Sequence, residues 1–98
     1  MDTLQVAAPP LFWNKPLTYE IAPQCGPMRK LATLADVRTG LMYDLPPGAI
    51  RLPHWLHAGM LVVAASESGT ATDIRHATDA LIEALETEGW LGAPEPKS

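Results

Sequence analysis

The spelling Thr-x-x-Asp occurs twice in the chain, as Thr33-Leu34-Ala35-Asp36 and as Thr70-Ala71-Thr72-Asp73, and each copy runs into apolar residues at helical spacing. A threonine hydroxyl accepts a bond from a backbone N–H of the first helical turn, and an acid three residues on reaches back and meets the positive helix end. Two helix starts are therefore written into the chain. Aspartate is shorter than the glutamate of the usual pair, so the bond back to the cap is the weaker half of this expectation. After Thr33 the positions Leu34, Val37, Leu41 and Leu45 make one apolar stripe, which Pro46-Pro47-Gly48 stops because proline lacks the N–H and crowds the preceding turn. After Thr70 a second stripe runs through Ile74, Ala77, Leu81, Ala84 and Leu85. Gly89 closes it by taking the left-handed conformation, with Trp90 beyond to fold back on Leu85.

The stretch between these helices predicts a third. Pro53 suits a first helical turn, and Trp55 to Ala64 is apolar on most sides, which reads as the central, most buried element. A strand over Leu61 to Ala65 competes, since Val62-Val63 favours extended backbone and Gly59 weakens a helix, but the length of Pro53 to Ser66 argues for the helix. Ser66 to Gly69 reads as a short loop. Upstream, Leu17, Tyr19 and Ile21 alternate with Thr18, Glu20 and Ala22, the period of a strand with one buried face. Pro23 to Pro27 interrupts it, and a return strand over Met28 to Ala32 makes a hairpin with a loop of about five residues. The expected fold is α+β, a β-hairpin packed on three helices in the order ββααα. Residues 12–91 form the domain, 1–11 a flexible arm and 92–98 a frayed tail.

A chain of 98 residues carries one core. With 47% hydrophobic and 18% charged residues it is globular rather than disordered, and a net charge of −4 gives no general attraction to phosphate backbones or anionic lipid. Nucleic acid is thus a disfavoured partner. A DNA-associated regulator would need Arg29, Lys30, Arg38, Arg51 and Arg75 to gather on one face. The single cysteine, Cys25, precludes an internal disulfide and fits a reducing compartment. No apolar run approaches the roughly 20 residues that span a bilayer, and Met1 to Ala8 lacks the basic start of a secretory signal, so the expectation is a cytoplasmic protein with no membrane partner.

No constellation supplies a nucleophile, its base and an orienting group, so no catalytic residue and no cofactor is assigned, and enzymatic activity is not the expected role. His54 and His57 lie three apart at the start of the middle helix and His76 near the start of the last; they are the candidate metal ligands, and Cys25 is the only thiol that could join them. A capped helix start explains Ser66 to Thr70 better than an anion site, because Asp73 repels an anion and no phosphate-loop glycine pattern is present. Apolar surface is the stronger lead. Trp13, Trp55 and Trp90 are three tryptophans in a small domain, and tryptophan is favoured at interfaces, although packing explains at least two of them. A two-stranded hairpin also leaves edges open, which makes a homodimer through the hairpin edge or the arm a further expectation. The expected function is a non-enzymatic protein-interaction module with an unidentified partner. The alternatives are a small ligand- or metal-binding protein using His54, His57 and His76, and the DNA-associated regulator.

One resemblance runs through most of the chain, from about Phe12 to Leu91. Trp13-x-x-Pro16-Leu17, Gly26, Arg29-x-Leu31-x-Thr33-Leu34-x-Asp36, Leu45-Pro46, Trp55-x-x-Ala58, and Ile74-Arg75-x-Ala77 with Ala80-Leu81-Ile82-Glu83-Ala84 are similar to domain-of-unknown-function family 982, small proteins of alphaproteobacteria. Members usually place aromatics where this chain has Leu45 and Leu81. The family has no assigned activity, so the resemblance implies a bacterial protein and assigns no functional residue.

Overall fold

In the computed structural model, which describes residues 11–91, the first and last helices begin where a threonine hydroxyl receives a backbone N–H, and the middle one begins at Pro53 with no side-chain cap. Strand β1 spans Pro16–Ile21 and strand β2 Leu31–Thr33; they pair antiparallel as a two-stranded sheet. Helix α1 spans Leu34–Thr39 and continues as a π-helical turn over Gly40–Asp44. A 3-10 turn at Ala49–Arg51 leads into α2, Pro53–Ser68, and α3 spans Ala71–Glu88. The order ββααα and the α+β class are those expected from the sequence. Among the described residues no helix is long and apolar enough to cross a membrane. Apart from Leu11, the expected arm lies outside the described residues, as does the expected tail.

Thr33 caps α1 with a complete reciprocal pair. Its hydroxyl accepts from the Asp36 N–H at 3.2 Å, and Asp36 Oδ2 accepts from the N–H groups of Thr33 and Ala32 at 3.1 and 2.9 Å. The next two free N–H groups, on Leu34 and Ala35, donate to the carbonyls of Lys15 and Trp13. The second start is built differently. Thr70 Oγ1 accepts from Asp73, but the return bond passes through Ser68: the Thr70 N–H donates to Ser68 Oγ, which donates to Asp73 Oδ2 at 2.6 Å. The reciprocal bond thus forms directly in one copy and through a hydroxyl in the other.

Several boundaries differ from the sequence reading. The hairpin turn is longer than expected, because β2 begins only at Leu31 and the segment before it wraps the end of α3. There the N–H groups of Gln24 and Cys25 donate to the Trp90 carbonyl, and the Cys25 thiol donates to the Gly89 carbonyl at 3.3 Å. The alternation of β1 fails at Tyr19, which is exposed. Between the pairs Pro16–Thr33 and Ile21–Leu31 the strand bulges away from β2. Its free polar groups turn to α3, where the Thr18 N–H donates to Thr78 Oγ1 at 3.2 Å and the Tyr19 hydroxyl to Asp79 Oδ1 at 2.9 Å. Ser66 is not in a loop: α2 runs on to Ser68, and the buried Ser66 hydroxyl donates to the Val63 carbonyl. Leu61 to Ala65 is helical.

Leu17, Ile21, Leu31, Leu34 and Val37 join the buried sides of α2 and α3 in one core, with β1 packed on α3 and α1 on α2. The largest departure concerns α2. It buries only Trp55, Ala58, Val62, Ala65 and Ser66, one stripe of its circumference, and α3 is the more deeply buried helix. The hydrophobicity of α2 on all sides therefore exceeds what the described fold covers.

Candidate interaction surface

Successive α2 residues are rotated by about 100°, so the stripe through Trp55, Ala58, Val62 and Ala65 points to the core and Leu56, Met60 and Val63 point away from it. These three are 47%, 67% and 49% exposed. Beside them the π-helical turn ending α1 brings Leu41 and Met42 up against α2, and the 3-10 turn adds Ile50. Between the two walls runs an open groove of about 670 Å³, with Trp13 and Arg38 at its rim and Glu67 toward the end of α2. The Arg38 guanidinium lies over the Trp13 ring at 5.3 Å, a cation–π contact between two residues that both line the groove.

Each tryptophan has a distinct place. Trp55 is wholly buried, and its indole N–H donates to Glu88 Oε2 at 2.9 Å. Trp90 is half-buried against Trp55, with ring centroids 5.8 Å apart. These two are packing residues, and burial removes Trp55 from any surface. Trp13 alone lines the groove. Sequence reasoning thus reached one groove residue through its tryptophans and missed Leu56, Met60 and Val63, which it assigned to the core. The available signal was their spacing of four and three inside a helix already supplied with a buried stripe.

The three histidines do not converge. His54 Nε2 lies 2.9 Å from Glu88 Oε2, so His54, Trp55 and Glu88 form a clamp between the start of α2 and the end of α3. Hydrogen bonds from His54 first, and from Trp55 second, hold the Glu88 carboxyl below the usual carboxylate range. His57 and His76 are both exposed and line a separate shallow cleft with Asp79 and Glu83. Among the described residues no group of three or more His, Cys, Asp and Glu side chains is placed to hold a metal ion.

Several of the cations are paired with acids. Arg29 grips Asp44 with two nitrogens, Nε at 2.8 Å and Nη2 at 2.9 Å, and this pairing lowers the Asp44 pKa. Lys30 pairs with Glu20 at 3.5 Å, and Arg75 sits 3.9 Å from Asp79. Arg29, Lys30 and Arg75 thus each have an acid beside them. No family model, curated protein or solved structure matches the chain.

Proposed function

We propose that this chain is a non-enzymatic protein-interaction module whose working surface is the apolar groove beside α2. The observation that carries the reading is the outward row Leu56, Met60 and Val63 opposite Met42 and Ile50. Leaving a contiguous apolar surface in water is costly, and such patches on soluble domains mark interaction sites. A groove of this kind takes an apolar helical face, with anchors at successive turns and a polar rim for orientation. Arg38 and Glu67 supply that rim. A reducing, bacterial cytoplasmic setting, suggested by the lone Cys25 and the resemblance to domain-of-unknown-function family 982, belongs to the same proposal.

Met60→Glu tests it, because Met60 is solvent-exposed and the helix accepts glutamate. Its thermal stability is expected to stay within about 0.5 kcal/mol of the parent. Proteins captured by the parent chain from native extract, identified by mass spectrometry, should be lost by the variant. Identical capture by the two chains would sink the reading.

A further inference from the structure

We infer that the occupant of the groove is a second copy of this chain, with α2 packed antiparallel on α2 of the partner about a twofold axis near Gly59 and Met60. This rests on the reading of the groove as an interaction surface and supplies its partner. Three independent features of α2 lead to it.

The first is spacing. Leu56, Met60, Val63 and Glu67 recur at intervals of four, three and four along the outward side, the seam that lets one helix pack along another. The second is Gly59. Glycine is disfavoured in mid-helix relative to alanine, so its presence calls for a reason. The chain's own packing offers none: a Cβ there would meet only Leu41 Cδ1, at 3.9 Å, an ordinary contact. Gly59 lines the groove, half-buried between the outward row and the core stripe, and its missing Cβ leaves room there for a second backbone to approach.

The third is charge, and it selects the direction. Arg51 ends the 3-10 turn two residues before Pro53 opens α2, and Glu67 lies near the end of α2; both are exposed. An antiparallel pair brings each Glu67 toward Arg51 and the positive helix end of the partner, where Glu88 is already engaged by His54 and Trp55. A parallel pair would set Glu67 against Glu67. A twofold axis repeats the favourable contact on both sides of Gly59, as an isologous interface requires. The hairpin edges compete poorly for this role, since β2 has only three residues to offer a ladder and β1 begins with a proline and turns its Thr18 N–H to Thr78. A single-helix interface with a small rim lies at the small end of specific interfaces, so a dissociation constant on the order of 10 μM is expected.

Sedimentation equilibrium and light scattering of the full chain test the proposal. At about 100 μM the parent should be mainly dimeric, with a Tm that rises with concentration. Met60→Glu should weaken the dimer at least about tenfold with an unchanged circular dichroism spectrum. Gly59→Ala should raise the Tm of the dilute monomer while weakening the dimer, a pairing of effects that a merely structural glycine would not give. Glu67→Arg should also dissociate the dimer, and adding Arg51→Glu should restore it. A monomeric parent at this concentration overturns the proposal, as does a dimer indifferent to Met60→Glu. A monomeric parent whose captured partner is lost on Met60→Glu overturns self-association and leaves the interaction reading standing.

Discussion

Gly26 and Gly89 both hold positive φ, 82° and 77°, yet their neighbourhoods assign them different work. A Cβ on Gly89 would meet nothing within 4 Å, so Gly89 is needed only for the backbone turn that closes α3. A Cβ on Gly26 would fall within the indole of Trp90, which is itself lodged against Trp55. Gly89→Ala is therefore expected to cost about 1 kcal/mol from the backbone alone. Gly26→Ala adds a clash with a ring that has little room to retreat, for a total of about 2–4 kcal/mol. Thermal melts of the two variants check this order, and equal losses would mean that Trp90 yields freely. Gly89 was legible as a helix end from its place after the α3 stripe. Gly26 looked like a turn residue, since its contact lies 64 residues away in sequence and no local pattern encodes it.

At the scale of elements, the sheet owes as much to α3 as to its own second strand. Thr78 is buried, donates to the Ile74 carbonyl at 2.8 Å, and accepts the Thr18 N–H that the bulge removes from the ladder. Thr78→Val keeps the shape and deletes the acceptor, leaving a part-buried N–H without its partner, which should cost about 1–3 kcal/mol. Thr78→Ser should recover much of it. Faster amide exchange at Thr18 in the valine variant, and not in the serine variant, would separate this bond from simple loss of packing. Periodicity located β1 correctly but gave Tyr19 to the core. A period of two describes a strand in register with its neighbour, and a bulge shifts the sides without altering the composition.

Two acidic clamps act on the whole molecule. Glu88 joins the end of α3 to the start of α2, and Asp44 joins the end of the π-helical turn to the segment before β2. Both carboxyls have pKa values lowered in the folded chain, Glu88 by its bonds from His54 and Trp55 and Asp44 by Arg29. Their contribution is therefore complete above the unfolded values, and it is lost as pH falls through the lower folded ones. Melting temperatures should decline below about pH 4.5, the ordinary glutamate value, and continue to fall beneath that of aspartate. Glu88→Gln should be less stable at neutral pH and show a shallower acid decline. An unchanged acid slope would remove Glu88 from this account. The helices that meet in this clamp were visible separately, but nothing in the spacing of His54, Trp55 and Glu88 tied them together.

The sequence by itself determined the element order and both capped helix starts, because capping, proline stops and apolar period act within one or two turns of backbone. It also placed the end of α3 and the class of the fold. The tertiary structure alone decided which side of α2 the core uses. A helix apolar all round is compatible with burial on every side, and how much of it is covered depends on how many neighbours a chain of this size can supply. Here α3 covers one stripe, flanked by α1 and the 3-10 turn, and the remainder of α2 forms the surface on which the proposed function rests.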